Sequence, residues 1–238
     1  MKKIIFSLAA VVLSGTMFVA NAQETKSLKP VAGDFATELR FTPFDATAFS
    51  LNGINVRGRY FLSDNMAVRL DLGFAYSGSK TVNPSATAGS PDEISKTSVT
   101  NFNIFPGLEL HFANWNRVSL YGGAALGINM RGASASIENV GNTNGDEAKI
   151  KGATSAAGAN RNSFGFGINV FTGIDVYVYR NLYVGAEMGL SFATSKLGKY
   201  ETTMSSGSTS TTVKFESTTS TTNVNFYAIP SFRLGWKF

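Results

Sequence analysis

Residues 223–238 read Asn223-Val-Asn-Phe-Tyr-Ala-Ile-Pro-Ser-Phe-Arg-Leu-Gly-Trp-Lys-Phe238, and their even positions are nearly all apolar. Val224, Phe226, Ala228, Pro230, Phe232, Leu234, Trp236 and Phe238 fall on one side of an extended chain. Asn225, Tyr227, Ser231, Arg233, Gly235 and Lys237 fall on the other, because successive side chains of a strand point to opposite faces. One apolar and one polar face in strict alternation is the pattern of a strand with lipid outside and a polar lumen inside.

Seven earlier segments alternate in the same way: Phe35 to Thr42, Leu51 to Leu62, Met66 to Ser77, Ser98 to Phe112, Val118 to Gly132, Ser163 to Val178 and Leu182 to Thr194. Their connections alternate between two kinds. Ser63-Asp64-Asn65, Ala113 to Arg117 and Tyr179-Arg180-Asn181 are short and carry turn-forming residues. Pro43 to Ser50 is modest, while Gly78 to Thr97, Ala133 to Asn162 and Ser195 to Thr221 are long and polar. A soluble sandwich has no reason to gather its tight turns at one end, whereas outer-membrane barrels have short periplasmic turns and long external loops. The fold expected is an all-β, eight-stranded antiparallel up-and-down transmembrane barrel, with both termini on the periplasmic side.

The N-terminus gives an address. Lys2 and Lys3 precede a largely apolar stretch from Ile4 to Val19, and Ala20-Asn21-Ala22 is an A-x-A cleavage site. Residues 1–22 are thus expected to be a signal peptide and 23–238 the barrel domain, exported through the Sec pathway. No later run reaches the roughly 18 apolar residues of a helical span. The absence of cysteine leaves stability to closure of the sheet and burial in lipid. The formal charge of +5 falls to +3 when Lys2 and Lys3 are removed, and the basic residues are scattered among acidic ones. Nucleic-acid binding, which needs a clustered basic face, is not expected.

Most strands have a coherent outer face, such as Met66, Val68, Leu70, Leu72, Phe74 and Tyr76. Aromatics gather toward the strand ends, with Tyr60, Phe112, Trp115, Trp236 and Phe238 below and Phe41, Phe74, Tyr76, Phe102, Phe164, Phe192 and Phe226 above, as interfacial girdles. Pro106 and Pro230 lie inside strands and are expected to mark bulges or local breaks in the ladder.

The signal peptide, eight strands, three tight turns, long loops and terminal aromatic together resemble the small outer-membrane barrels of the OmpX type and the OmpA transmembrane domain. The resemblance implies a home in the outer membrane of a Gram-negative bacterium. It implies recognition of the last strand by the barrel-assembly machinery through Trp236 and Phe238, although Arg233 stands where that signal usually has Gly. The chain stops at Phe238, so the peptidoglycan-binding domain of full-length OmpA-like proteins is not expected.

Inward positions collect Glu38, Arg40, Arg57, Arg59, Arg69, Asp71, Glu109, His111, Arg131, Asp175, Glu187, Arg233 and Lys237. If the first loop centres between Thr47 and Ala48, Glu38 faces Arg57; if the next turn centres on Asp64, Arg57 faces Asp71. An eight-stranded barrel is just wide enough for its side chains to fill it, so a salt-bridged structural plug is expected in preference to a charged conduit or proton path. His111 is the only histidine, and Ser119 could lie across from it. Barrel enzymes such as lipid-A deacylases, palmitoyltransferases, phospholipases and omptin proteases need a positioned nucleophile near the lipid or external side. With no third group identifiable, no catalysis, cofactor or metal site is expected. Gly165 and Gly167 alternate with apolar residues as strand glycines rather than forming a phosphate loop.

The loops remain as the place for function. Ala133 to Asn162 is rich in Gly, Ala, Ser and Asn and reads most simply as mobile and solvated. The last loop keeps strand alternation at Tyr200 and Val213-Lys214-Phe215-Glu216, with a tip near Ser205 to Ser208. Either it continues the final hairpin above the membrane, with edges open to strand addition, or it is a disordered Ser/Thr loop. The role expected is structural or adhesive at the cell surface for a monomer embedded in outer-membrane lipid, the partner being a surface protein or host ligand. The competing class is a small-solute transporter resembling OmpW-like barrels that pass hydrophobic molecules, opening sideways near Pro230 or the Gly-rich strands.

Overall fold

The computed structural model describes residues 28–41, 54–179, 181–227 and 232–238. Twelve antiparallel strands make one sheet: β1 (Phe35–Phe41), β2 (Ile54–Ser63), β3 (Met66–Asn83), β4 (Glu93–Asn114), β5 (Val118–Glu138), β6 (Glu147–Lys151), β7 (Ser163–Tyr179), β8 (Leu182–Leu197), β9 (Tyr200–Ser206), β10 (Thr209–Phe215), β11 (Thr219–Tyr227) and β12 (Phe232–Lys237). Eight neighbours close a ring. β1 pairs β2, then β3, β4, β5, β7 and β8 follow in order, and β12 joins β8 back to β1. Closure satisfies every ladder internally, which a sheet in hydrocarbon requires. The eight expected segments are all present, the last as β11 and β12 together.

That last strand changes register. β11 ends with Tyr227 opposite Gly189, and β12 begins its pairing with Arg233 opposite Gly185, so six residue steps along one strand answer four along the other. Pro230 lies between them, outside the described residues. Pro106 breaks the β4–β5 ladder without bulging it. Pairing is interrupted after Ile104 opposite Ile128 and resumes with Gly107 opposite Ala125 in the same register. A proline has no N–H to donate, and the ladder skips Phe105 and Pro106 before it resumes.

The outer face is apolar and uncovered. Leu108, Leu110, Leu126, Val170, Met188 and Leu190 are all more than half exposed, an arrangement that only a lipid environment makes favourable. Aromatic side chains at both ends of this band, including Phe112 and Trp115 below and Tyr76 and Phe164 above, point outward as expected.

Two expectations about the loops are overturned. Gly78 to Thr97 is mostly strand, since β3 and β4 pair without a shift from Met66 opposite Leu110 to Asn83 opposite Glu93. Ala133 to Asn162 is ordered as well. It contains the end of β5, a 3-10 turn at Val140–Asn142 and β6, which pairs with β5 from Ser134 to Glu138. At the point where β5 exchanges β7 for β6, the Ala133 N–H donates to Asn162 Oδ1 at 2.6 Å, so this amide keeps a partner through the switch.

The strands therefore outgrow the membrane. About 9–11 residues cross a bilayer in a tilted strand, whereas β4 has 22 and β5 has 21. Above the barrel, β3, β4, β5, β6, β9 and β10 form one extracellular sheet. The final hairpin continues upward as β9 and β10 around a tip at Gly207, whose φ of 57° suits a glycine. The hairpin alternative for this loop, with its tip between Ser205 and Ser208, is thus the one the fold contains.

Candidate functional site

The lower lumen is filled by a single ionic cluster. Glu38 comes from β1, Arg57 and Arg59 from β2, Arg69 and Asp71 from β3, Glu109 from β4, Asp175 from β7 and Glu187 from β8. Each arginine touches three carboxylates. Arg57 meets Asp71 at 2.5 Å, Glu187 at 2.9 Å and Glu38 at 3.3 Å. Arg59 meets Glu109 at 2.5 Å, Asp175 at 2.7 Å and Glu38 at 2.9 Å. Arg69 meets Glu187 at 2.8 Å, Glu109 at 3.1 Å and Asp71 at 3.2 Å. Glu38 opposes Arg57 and Arg57 opposes Asp71 in the ladders, as the loop and turn centres require.

Aromatic side chains seal the cluster. Tyr183 donates to Glu38 at 2.8 Å and Tyr121 to Glu187 at 3.0 Å. The Arg69 guanidinium lies 3.5 Å from the Phe171 ring centroid, a cation–π contact. Glycines make the room. A Cβ on Gly235 would fall 2.0 Å from the Tyr183 ring, on Gly173 2.2 Å from the Tyr121 hydroxyl, and on Gly127 2.3 Å from the Phe105 ring. These lumen seats of glycine under an aromatic ring escaped the sequence reading, although alternation already placed Tyr121, Tyr183, Gly173 and Gly235 on inward positions.

Of the remaining expected members, Arg131 stands apart. Arg131 faces the right side of β5 but is exposed well above the cluster, where its Nε donates to Asn101 at 3.0 Å. It is not part of the charge network: parity along a strand gives a side chain's face but not its height. Arg40 and Arg233 pair through their backbones, and their side chains lie outside the described residues.

The periplasmic mouth is partly covered from below, leaving a recess of about 180 Å³ that reaches His111 and Ser119. Residues 28–34 fold across it: the Gly33 N–H bonds the Phe61 carbonyl at 2.8 Å and the Ala32 N–H bonds Asp64 at 3.1 Å. Leu28 packs on Ala36, Phe61, Ala67, Tyr177 and Tyr183. Lys237 is buried and acts as the latch, its Nζ donating to the Lys29 carbonyl at 2.8 Å and lying 3.4 Å from Asp34. Trp236 points outward, and the Phe238 N–H bonds the Phe35 carbonyl at 2.8 Å, so the terminal residue completes the β1 edge.

His111 and Ser119 do meet, with 2.7 Å between Nδ1 and Oγ. The other ring nitrogen is 3.3 Å from Arg59 Nη2 and 3.6 Å from Glu109. A guanidinium only donates, and at the shorter distance it favours Nε2 as acceptor with Nδ1–H donating to Ser119, whereas a proton on Nε2 would turn to Glu109. A histidine that offers Ser119 a proton has no lone pair with which to take one. Among the described residues no group of acidic or histidine side chains is arranged to hold a metal ion.

A closed, lipid-faced ring of eight strands with a polar, charged interior defines an outer-membrane β-barrel. The chain matches the "Putative OmpA-OmpF-like porin family" over residues 44–238, and it belongs to that family. Its place is the outer membrane of a Gram-negative bacterium. Among solved structures it is similar to the outer membrane protein OprG of Pseudomonas aeruginosa, with 10% identity, a TM-score of 0.39, and 90% of this chain and 99% of that one covered. It is also similar to the outer membrane protein W of E. coli, with 18% identity, a TM-score of 0.36, and 87% and 99% coverage. No curated protein matches it significantly.

Proposed function

We propose that this protein is a closed anchor whose working part is the extracellular sheet, and that β10 recognises an extended segment of a surface or host protein by strand addition. The observation that carries this reading is the edge itself. Among the described residues β10 pairs only with β9, and its sequence from Thr209 to Phe215 is rich in β-branched residues, with Lys214 as its one charge. Native edges are usually blunted by proline, bulges or several charges. An unblunted one supplies backbone donors and acceptors to a partner strand. The plug supports the anchoring half, because among the described residues nine arginine–carboxylate contacts cross the lumen. The His111–Ser119 geometry supports a barrel without catalysis. Export through the Sec pathway, a monomeric state and assembly through the terminal aromatics belong to the same proposal.

The second reading is small-molecule passage, favoured by membership of a porin-like family. Small inward residues above the plug, such as Gly165, Gly167 and Ala193, are compatible with an upper vestibule. One pair of experiments separates the two. Deleting Thr202 to Thr212 removes most of the β9–β10 hairpin and abolishes surface binding if strand addition is right; undiminished binding sinks it. Single-channel recording of Gln23 to Phe238 in a planar bilayer is silent for a plugged anchor, whereas reproducible conductance steps put transport first.

A further inference from the structure

The outward face carries two recesses, one on β5, β7 and β8 and one beyond the end of β8 on β6, β9 and β10. The lower is an apolar groove of about 430 Å³ on the lipid-facing side, flanked by Leu126, Phe166, Ile168 and Phe192. Its floor is backbone at Gly127 and Gly167, which are paired with each other, and it runs to the broken rung at Pro106. The groove reaches Thr194, and the next outward residue on that strand is Lys196. Lys196 stands opposite Phe164, one residue from the end of β7, and so sits at the extracellular rim beside the aromatic girdle. The upper recess, of about 280 Å³, lies just beyond it and is lined by Lys151, Lys199, Lys214, Glu201 and Glu216.

Ladder parity fixes the direction of the upper recess. Ser134 shares the outward face of β5 with Leu126 and Met130, and Lys151 opposes Ser134, Glu201 opposes Lys151 and Lys214 opposes Glu201. Its charges therefore crown the same face as the groove. Lys151 is paired with Glu201 at 3.3 Å, and Lys199 with Glu216. Lys196 and Lys214 have no acidic partner among the described residues. Four lysines against two glutamates leave the rim positive immediately above a lipid-facing slot.

From this juxtaposition we propose that the outward face of β5, β7 and β8, with the lysine rim above it, is a binding site for a phosphate-bearing glycolipid of the outer leaflet. One acyl chain occupies the groove between Leu126, Phe166 and Phe192, and the anionic headgroup sits on Lys196 and Lys214. The occupant is set by position, since the groove lies on the lipid-facing side and Lys196 stands at the extracellular rim beside the aromatic girdle, where headgroups lie. The site shares Lys214 with β10, so Lys196→Gln alone separates lipid binding from recognition at the β10 edge.

The test uses the protein extracted from outer membranes in mild detergent, with bound lipid counted by native mass spectrometry against added bisphosphorylated lipid A and its dephosphorylated form. Wild type is expected to hold one bisphosphorylated molecule and to prefer it to the dephosphorylated form. Removing both cations in Lys196→Gln/Lys214→Gln is expected to weaken the phosphorylated lipid about twenty-five-fold, at about fivefold per lysine near a charged lipid surface, and to leave the dephosphorylated lipid unchanged. Ile168→Trp, which fills the groove, is expected to weaken both. Heat-modifiable gel mobility confirms that each variant is folded. Equal retention of both lipids by wild type and all variants would mean annular lipid only and overturn the proposal. Displacement by millimolar inorganic phosphate would overturn it too, because it would make the lysines a free-anion site.

Discussion

Arg57 Nη1 lies 2.9 Å from Glu187 Oε2, although 130 residues separate them in the chain and their strands, β2 and β8, are not neighbours in the barrel. The contact crosses the lumen. It ties opposite walls together in a way that no ladder bond does, and the same guanidinium also holds Asp71 and Glu38.

Arg57→Ala is accordingly expected to destabilise the barrel by about 3–5 kcal/mol, the usual cost of leaving buried charges without their partner. Three carboxylates lose a shared cation at once, while Arg69 and Arg59 retain contact with them. Urea titration of the refolded protein in lipid vesicles reads this as a lower midpoint. An unshifted midpoint would count against the structural plug.

Gly235 and Gly132 make a matched pair. Alanine at Gly235 must displace the Tyr183 ring and with it the hydroxyl that donates to Glu38, whereas a Cβ at Gly132 meets nothing within 4 Å. Gly235→Ala is expected to cost about 1–3 kcal/mol by overpacking, and Gly132→Ala to be close to neutral. Equal midpoints for the two variants would show that the lumen yields freely.

Legibility followed the physics of each feature. The ring was readable because lipid forces strict alternation on its strands, and Glu38–Arg57–Asp71 was readable because hairpin centres fix nearest-strand register. Arg57–Glu187 and Arg59–Asp175 were not, since contacts across a lumen depend on strand tilt and closure, which no single hairpin specifies. The upper part of β3 and β4 was hidden for a different reason. Above the membrane both faces of Gly78 to Asn83 are solvated, so polar residues alternate with polar residues and the two-residue signal disappears. The same blindness to height put Arg131 in the plug.

Acid is expected to loosen the extracellular end of β4. The Gly141 N–H donates to Glu93 at 2.9 Å and the Asn83 amide at 3.1 Å, and these bonds, the backbone one first, hold the Glu93 carboxyl below the ordinary carboxylate range. A carboxyl depressed in the folded state stabilises fully above its unfolded value and loses that contribution as pH falls through its folded value. The Val140–Asn142 turn should therefore detach below about pH 4, the ordinary carboxylate range, while the barrel stays closed. Amide exchange at Gly141 should rise with acid in the wild type and be pH-insensitive, beyond intrinsic chemistry, in Glu93→Gln.

Lys237→Met removes the latch beneath the barrel. Burying a sulphur-containing chain of similar length keeps the volume but deletes the donor to the Lys29 carbonyl and the cation beside Asp34. The expected result is faster amide exchange and protease cleavage confined to residues 28–34, with the β1–β12 ladder still protected. Cleavage unchanged from wild type would mean that Leu28 and the Gly33–Phe61 bond hold the segment unaided.

Ser119→Ala separates a structural serine from a nucleophile. Arg59 directs a donor at His111 Nε2, so the imidazole presents Nδ1–H to Ser119, and the hydroxyl is an acceptor in a buried chain rather than a group awaiting deprotonation. Removing it strands a buried N–H, at a cost of about 1–3 kcal/mol, and the unfolding midpoint should fall accordingly. A fluorophosphonate probe should label neither the wild type nor the variant, because His111 turns a proton rather than a lone pair toward Oγ. Covalent labelling of wild type that vanishes in Ser119→Ala would reverse the tautomer and turn this corner of the plug into a catalytic dyad.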